Sequence, residues 1–325
     1  MRYFASYFDR HYLARVLVLL DSLKRWMDEP FHVFALCLDE TSYDFLENRQ
    51  LSDVTLISLE QLEQSSPQLV HTKRIRSVVE YYYTSGPSFL LYVFNHYPEV
   101  DTLTYLDSDL YFFSSPRSLF EELEDYSVGI IEHRLAPNLQ SYLRFGIYNV
   151  GWVFFRRDSF GLACLQWWTD RCIEWCHDRV EGHRFADQKY LDDFPRLFAR
   201  VRVIQHKGAN LAPWNLGTFQ VSAPAGMVMV DGQPLVFFHF QGLKMIRPWL
   251  IDTNFGWYKI APSRIVRHQI VDPYIRQLKE VMHIAGEART IRAKSRRVGG
   301  LSKFVRAAVG AGYALFRRAY VVSLD

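Results

Sequence analysis

Two aspartates, Asp107 and Asp109, directly follow an apolar run at residues 102–106. The run predicts a buried strand, and residues two apart in an extended chain project to the same side. Both carboxylates can therefore face one cation. Carboxylate oxygens suit a hard divalent ion such as Mn²⁺ or Mg²⁺, which is usually shared with substrate phosphates. The residues alone also allow a simple turn, in which one carboxylate caps the following helix.

A histidine at the end of a second apolar run offers a further ligand for such an ion. His239 follows two phenylalanines, and Gly242 and Lys244 come shortly after it. An imidazole can complete a metal shell, a glycine permits close approach of the backbone to a ligand, and a lysine can pair with a phosphate. A structural histidine is the alternative. Together, the two segments predict a site for a divalent cation and a phosphate group.

The elements that would position these side chains follow a strand–helix–strand alternation. Strands are predicted at residues 2–6, 31–38 and 54–58, with a helix from about 9 to 27. This alternation indicates an α/β fold with a mixed, mostly parallel sheet flanked by helices. Open sheets of this kind bind ligands at the carboxyl ends of their strands, where Asp107 and Asp109 lie.

The remaining elements are predicted from the same periodicities. We expect further strands at 126–131, 148–156, 201–205 and 235–239. We expect helices at 72–84, 87–97 and 159–178, a short helix near 186, and a break at Ser85-Gly86-Pro87.

Missing glycines exclude several nucleotide-binding folds. The first glycine of the chain is Gly86. Dinucleotide-binding Rossmann starts, P-loops and the glycine-rich opening of sugar nucleotidyltransferases all need glycines where backbone amides approach a phosphate. None of these can be built from residues 1–85. The absence of GxSxG and HExxH motifs counts against a serine hydrolase and a zinc protease.

Charge divides the 325 residues into two unlike parts. The net charge is +3, but residues 287–325 carry nine Lys or Arg and two Asp or Glu, a net +7, which leaves −4 for residues 1–286. We therefore predict a body at residues 1–272 and a basic, amphipathic helical tail at 273–325. The acidic body, with no recognisable nucleic-acid module, argues against a nucleic-acid partner.

Apolar and basic residues separate onto opposite sides when residues 301–319 are wound as a helix. This pattern is typical of a helix that lies on an anionic membrane surface. A solvated tail, or a helix packed back on the body, is the alternative. No export signal or spanning segment is evident, and the four cysteines are expected to be reduced. We therefore expect a cytoplasmic protein, with the inner face of the membrane as its peripheral docking site.

Four motifs in order resemble those of the nucleotide-sugar glycosyltransferases of GT-A fold. They are YLDSD at 105–109, YNVG at 148–151, ADQ at 186–188 and HFQG at 239–242. Their order and spacing, over about residues 2–250, are most similar to glycosyltransferase family eight, which includes glycogenin and bacterial lipopolysaccharide galactosyltransferases. The resemblance implies a UDP-sugar donor, a Mn²⁺ (or Mg²⁺) ion, and transfer with retention of anomeric configuration.

The resemblance also implies roles for individual residues. It makes Asp107, Asp109 and His239 the metal ligands. It places Asn149 near the donor sugar, and Asp187 and Gln188 close to the anomeric carbon. A helix N-cap is the alternative for Asp187. The remaining donor-binding candidates are Ala5, Ser6, Arg76, Asp107, Gly242, Lys244 and Arg247.

Two departures from the family pattern affect the donor site. The acidic residue and asparagine that usually follow the first strand are not clearly present in Ser6-Tyr7-Phe8-Asp9, which leaves the nucleotide base open. The family's lysine directly precedes Pro-Trp, whereas here Arg247 holds that position and Lys244 lies three residues earlier. Either cation can be the phosphate contact.

Acceptor binding is predicted for aromatic and polar residues in two loop regions, because aromatics stack on sugar faces and amides bind hydroxyls. These residues are His133, Arg144, Asn210, Trp214 and Asn215. The expected acceptor is a glycan or a lipid-linked sugar. Two alternatives remain open: an inverting GT-A transferase with Asp187 or Glu132 as general base, and a catalytically silent module that binds sugar or nucleotide.

Overall fold

The computed structural model describes residues 1–247, 249–284 and 320–322. Its longest strands build one mixed sheet, and shorter strands form three small separate sheets. The strands are β1 (Arg2–Phe8), β2 (Phe31–Cys37), β3 (Val54–Ser58), β4 (Thr102–Leu106), β5 (Leu110–Phe112), β6 (Val128–Glu132), β7 (Tyr148–Arg156), β8 (Val201–Val203), β9 (Val221–Ser222), β10 (Met229–Val230), β11 (Gln233–Pro234), β12 (Phe237–His239), β13 (Lys244–Arg247), β14 (Leu250–Asp252) and β15 (Tyr320–Val322).

The central sheet has seven strands in the order β3-β2-β1-β4-β7-β6-β8. All neighbours are parallel except β7, which runs antiparallel to both β4 and β6. Strands β5 and β12 form a separate antiparallel pair. The predicted α/β class and the mixed, mostly parallel sheet are thereby confirmed.

Helices cover both faces of this sheet. The α-helices are α1 (Leu13–Trp26), α2 (Glu40–Glu47), α3 (Leu59–Ser65), α4 (Pro67–Thr72), α5 (Val78–His96), α6 (Arg117–Glu122), α7 (Ser159–Glu174), α8 (Phe194–Leu197) and α9 (Asp272–Ile284), with 3₁₀ turns at Pro137–Phe145, Gln188–Asp193 and Pro224–Gly226 and a π-helical turn at Val266–Val271. Apolar residues of α5 and α7 pack on one face of the sheet, while α1 and α9 contribute to the core on the other.

The predicted break at Ser85-Gly86-Pro87 is wrong, because α5 continues through it. Pro87 removes one backbone hydrogen bond, which normally ends or bends a helix. Here the helix is held by burial of its central turns, and Gly86 lies directly against the ring of Tyr7 on the central sheet. The hydroxyl groups of Thr84, Ser85 and Ser88 donate to carbonyls one turn earlier. Tertiary packing therefore outweighs the local helix-breaking signal.

The predicted tail begins at the second residue of α9. The side chains of Tyr274, Ile275 and Leu278 are buried against the body, and Tyr274 stacks on Phe240 with ring centroids 3.7 Å apart. At the other end of the tail, β15 pairs with β14. The amphipathic segment at 301–319 lies outside the described residues. None of the helices in the described part of the chain has the length and apolar content needed to cross a bilayer.

Candidate active site

The three predicted metal ligands lie together at the end of β4. His239 Nε2 is 3.1 Å from Asp109 Oδ1 and 3.5 Å from Asp107 Oδ2. One ligand atom from each residue lies within 4.8 Å of the other two. The Asp109 and His239 side chains are 8% and 2% exposed, while that of Asp107 is 29% exposed and opens the group to solvent. Two carboxylates and one imidazole form a donor set that fits Mn²⁺ or Mg²⁺.

Strand pairing explains why residues so distant in sequence meet. The turn after β4 carries both aspartates and leads into β5, which pairs with β12 so that His239 lies opposite Leu110. The N–H of Phe240 donates to the carbonyl of Asp109 at 3.0 Å, and the N–H of His239 donates to that of Leu211. Backbone hydrogen bonds thus fix the position of His239 from both sides.

Burial and mutual charge shift the ionisation of this group. Burial raises the pKa of Asp107, and the nearby charge of Asp109 adds to the effect. Burial would also raise the pKa of Asp109, but the charge and hydrogen bond of His239 outweigh it and lower that pKa. Burial would lower the pKa of His239, but Asp109 and Asp107 together raise it. The three side chains thus form a compact acidic and cationic cluster whose charges depend on one another.

Asn149 and Gln188 are joined to this cluster by hydrogen bonds. Asn149 Oδ1 lies 3.2 Å from His239 Nδ1, and Asn149 Nδ2 donates to Gln188 Oε1 at 3.3 Å. Gln188 Nε2 donates to the carbonyl of Phe145. The amide of Gln188 is therefore held at both of its polar ends.

Asp187 is a buried carboxylate whose environment favours its neutral form. Burial, with a smaller contribution from the charge of Asp107, raises the pKa of Asp187 to about 7. Its backbone carbonyl accepts a hydrogen bond from Trp168 Nε1 at 2.9 Å. Asp187 occupies the N-cap position of the following 3₁₀ turn, as the alternative predicts, but its side chain makes no capping hydrogen bond to that turn.

The predicted end of the first strand, next to the donor-binding candidates Ala5 and Ser6, needs correction. Strand β1 extends to Phe8, so neither residue lies at the end of the strand. Ala5 is buried in the core against α5, and Ser6 is 1% exposed with its Oγ lacking any partner among the described residues. The sequence places the strand end too early because Tyr7 and Phe8 lack the alternation typical of a half-buried strand.

Arg76 is a buried cation without a carboxylate partner in the described part of the chain. Its side chain donates from Nη2 to the carbonyls of Cys172 and Ile173 at the end of α7. Its Nε and Nη1 are buried and make no hydrogen bond to described residues. An unpaired buried guanidinium is costly, so an anionic ligand at this position would stabilise it.

Lys244 and Arg247 are both exposed on β13, immediately after the turn at Gly242. Gly242 has a φ of +74°, and a Cβ there would lie 2.3 Å from Asn254 Nδ2. Glycine is therefore required for the turn that carries the chain from His239 to these cations. Neither cation forms an ion pair with a described residue, so both are available to a phosphate.

The five predicted acceptor residues have different environments. Trp214 is 2% exposed and Asn215 is fully buried; both donate side-chain hydrogen bonds to the carbonyl of His133. Their predicted contacts with a sugar do not fit these positions, because both side chains are buried and their donors are used in these hydrogen bonds. Burial lowers the pKa of His133 to about 4. Arg144 is exposed and lies over the ring of Phe145.

Asn210 differs from these residues because its amide has no hydrogen-bond partner among the described residues. It is 1% exposed, and its φ of +61° is in the left-handed region. A buried amide without partners costs about 1–3 kcal/mol per unsatisfied group. The contact predicted for it with a sugar hydroxyl would meet that need, and this role stays a prediction.

Three residues that the sequence interpretation missed lie around the metal-binding group. The hydroxyl of Tyr105 donates to Asp107 Oδ1 at 2.7 Å. Arg15 donates to the carbonyl of Leu243. Its charge also lowers the pKa of Asp109, but by less than the effects of burial and His239 on that pKa. The guanidinium of Arg15 lies over the ring of Tyr12, which is 40% exposed. Tyr12 and Arg15 follow β1 and Tyr105 lies in β4, and these positions near strand ends could have indicated that they lie close to the site.

Comparison with known proteins identifies relatives along most of the chain. No protein-family model matches it. YfnD, an uncharacterized protein of Bacillus subtilis (strain 168), is 30% identical over 280 residues, which cover 85% of this chain and 88% of YfnD. YfnF, an uncharacterized protein of the same strain, is 34% identical over 244 residues, which cover 72% of this chain and 79% of YfnF.

Solved structures share the fold at low sequence identity. The galactosyltransferase LgtC, in complex with donor and acceptor sugar analogs, superposes with a TM-score of 0.54 and 14% identity over 89% of this chain and 99% of LgtC. An LgtC variant with an active-site glutamine replaced by glutamate superposes with a TM-score of 0.50 and 14% identity. The match covers 86% of this chain and 95% of the variant. The GT-A fold predicted from the four motifs is confirmed. The chain therefore belongs to the same family as YfnD and YfnF, and it has the GT-A fold of LgtC.

Proposed function

We propose that this protein is a metal-dependent glycosyltransferase that transfers a sugar from a nucleotide-diphosphate sugar, a UDP-sugar, to a glycan or lipid-linked acceptor with retention. The observation that carries the proposal is the convergence of Asp107, Asp109 and His239 at the carboxyl end of β4 in a GT-A fold. LgtC, a galactosyltransferase that shares the fold of this chain, supports this class of reaction.

The charges around this group suit the departure of a nucleoside diphosphate. Breaking the sugar–phosphate bond develops negative charge on the leaving phosphate and positive charge on the anomeric carbon. A divalent ion held by Asp107, Asp109 and His239 supplies electrostatic neutralisation of that phosphate. The exposed cations Lys244 and Arg247 add to it from β13.

Asp187 and Gln188 are proposed to face the sugar. Asp187 is 5% exposed, and the charge of Asp107 adds to the effect of burial in raising the pKa of Asp187. In its neutral form Asp187 donates a hydrogen bond to a sugar hydroxyl, and in its ionised form it stabilises the electron-poor anomeric carbon. The amide of Gln188, which is fixed by its hydrogen bonds to Asn149 and Phe145, is proposed to direct its oxygen toward the sugar as well.

Arg76 and Tyr12 complete the proposed donor site. The two unpartnered nitrogens of Arg76 are suited to donor oxygens. The ring of Tyr12 has Arg15 on one face and remains 40% exposed, so it offers a surface on which a nucleobase can stack.

The donor class is tested by thermal unfolding of the full chain with UDP-, GDP- and dTDP-sugars, each with and without Mn²⁺. We expect a shift of several degrees for UDP-sugars that requires the ion. Release of UDP in the presence of an acceptor then separates a transferase from a silent binding module. A Mn²⁺-independent shift, or binding without any turnover over an acceptor panel, would contradict the proposal.

A substitution at the metal group provides a second test. Asp109→Asn should reduce UDP release by at least about 100-fold, because it removes the buried charge needed for the metal. Asp170→Asn, on the exposed face of α7, is the matched control and should behave as wild type. Equal activity of both variants, with and without EDTA, would exclude the metal-dependent mechanism.

Retention is tested by the anomeric configuration of the newly formed glycosidic bond, read by proton NMR of the product. An α-linked product from an α-linked donor is expected, and a β-linked product would establish the inverting alternative.

Membrane docking remains a proposal that rests on the composition of the tail. Arg296→Glu/Arg297→Glu in the full chain should weaken binding to anionic liposomes, because each cation near such a surface contributes about 1 kcal/mol. Arg49→Glu/Arg264→Glu, two exposed cations of the body, is the control. Equal binding by both variants would exclude the tail as the contact.

A further inference from the structure

The side chain of Asn149 lies between the proposed metal group and Gln188, and its hydrogen-bonding capacity is fully used. Its Oδ1 accepts from the N–H of Gly151 at 3.1 Å and faces His239 Nδ1 at 3.2 Å. Its Nδ2 lies 3.3 Å from Gln188 Oε1 and 3.4 Å from His133 Nε2. An amide offers two lone pairs and two hydrogens, so none remains for a sugar.

The backbone decides which way this amide points. The N–H of Gly151 can only donate, so the atom that faces it must be the oxygen of Asn149. An oxygen accepts, and His239 Nδ1 must therefore carry the ring proton in this contact. The other ring nitrogen, Nε2, is the atom that lies beside Asp109 and Asp107.

The side chains of Asn149 and His239 are closely surrounded. Asn149 is 4% exposed and His239 is 2% exposed. A Cβ at Gly151 would lie 2.7 Å from Asn149 Oδ1 and 2.8 Å from His239 Nδ1. The ring of Trp214 packs edge-on against His239, with centroids 5.1 Å apart. Only glycine at 151 lets the amide and the imidazole meet.

We propose that Asn149 is a positioning residue, which holds His239 in the tautomer that presents Nε2 to the metal and couples that imidazole to the amide of Gln188. This inference deepens the proposed function and rests on it. It gives Asn149 a role in place of the one near the donor sugar that the sequence resemblance implies. Groups that orient a metal-binding histidine typically change metal affinity by about 10- to 100-fold when they are removed.

Two substitutions at position 149 separate the orientation of His239 from the link to Gln188. Asn149→Ala removes every contact of the amide. Asn149→Asp keeps an oxygen for Gly151 and His239, but it turns a second oxygen toward Gln188 Oε1 and His133 Nε2. Gln188 cannot relieve this contact by rotating its amide, because its Nε2 is bonded to the carbonyl of Phe145.

The first measurement is the affinity of the full chain for Mn²⁺ alone, followed by electron paramagnetic resonance of the free ion. We expect Asn149→Ala to weaken binding about 10- to 100-fold and Asn149→Asp to stay within about threefold of wild type. Asn95→Ala, an exposed asparagine of α5, is the matched control and should match wild type. Thermal unfolding in EDTA checks that each variant is folded.

The second measurement is UDP release at saturating Mn²⁺. Asn149→Asp and Gln188→Ala should each lower the turnover, and the double variant should lose no more than the larger single loss, because both act through Gln188.

The outcomes separate this inference from the proposed function. No Mn²⁺ binding by wild type would overturn the metal-dependent function itself. Wild-type binding with an unchanged Asn149→Ala, or an equal loss in Asn149→Asp, would overturn the positioning role alone. If Asn149→Ala does not fold, wild-type turnover by Asn149→Asp still overturns the link to Gln188.

Discussion

Replacing Gly151 with alanine places a methyl group between the amide of Asn149 and the imidazole of His239. The added Cβ would lie 2.7 Å from Asn149 Oδ1 and 2.8 Å from His239 Nδ1, whereas ordinary contacts begin at 3.4 Å. Each neighbour must therefore move by about 0.6–0.7 Å. Metal–ligand distances tolerate only about 0.2 Å, so a shift of this size should disturb ion binding.

The expected effects are a loss of stability and a larger loss of metal affinity. Overpacking of a buried site costs about 1–3 kcal/mol, which lowers the melting temperature by about 1–5 °C. Displacement of the His239 ring should weaken Mn²⁺ binding by about 10-fold or more. Thermal unfolding in EDTA measures the first effect, and a Mn²⁺ titration measures the second.

Gly129→Ala is a matched control in the same sheet. A Cβ at Gly129 would lie 2.5 Å from Leu123 Cδ2 and 3.2 Å from Phe154 Cβ, so the crowding is similar but entirely apolar. We expect it to lower stability by a comparable amount and to leave Mn²⁺ affinity unchanged. The reasoning would be refuted if Gly151→Ala bound Mn²⁺ as tightly as Gly129→Ala.

Three further predictions concern the surroundings of the site. Because burial and Asp107 raise the pKa of Asp187 to about 7, the folded protein should lose up to about 4 kcal/mol as the pH rises from about 4 to 7; in EDTA, Asp187→Asn should melt higher than wild type at pH 8, and the difference should narrow toward pH 5. Although burial opposes it, hydrogen bonds from Ser77, Asp178 and His177 lower the pKa of Glu80 to about 2, so Glu80→Gln should be less stable by about 1–3 kcal/mol at neutral pH, with a gap that closes as the pH falls below about 4.5; a gap independent of pH would contradict this. Trp214→Phe should cost about 1 kcal/mol, since it removes one hydrogen bond to His133, without changing the KM for the acceptor; a raised KM would restore the sugar-stacking role.

Strand predictions agreed well with the structure wherever the apolar pattern was local and unbroken. Residues 54–58, 102–106 and 148–156 were predicted to the residue. Errors occurred where tertiary contacts decide the outcome. The ring of Tyr7 and the buried surroundings of α5 stabilise a helix across Gly86 and Pro87. These contacts cannot be predicted from the residues of the helix alone.

The chemistry of the site could also be predicted from short stretches of sequence. Asp107, Asp109 and His239 have the residue types that hold a divalent ion, and the end of a strand is where such residues act. The partners of these residues could not be predicted from the sequence, because the contacts of Asn149 depend on side-chain directions in β7 and on the space beside Gly151.

The sequence by itself determined the α/β class, the positions of the main strands along the chain and the three side chains suited to a metal, because these follow from hydrophobic period and residue chemistry. Tertiary structure alone decided which polar residues remain available to a substrate. The pairing of β5 with β12 joins segments far apart in the chain and brings His239 beside the two aspartates. In the folded chain Trp214 and Asn215 are buried, whereas Lys244 and Arg247 are exposed. Burial depends on those distant pairings, and no local pattern encodes it.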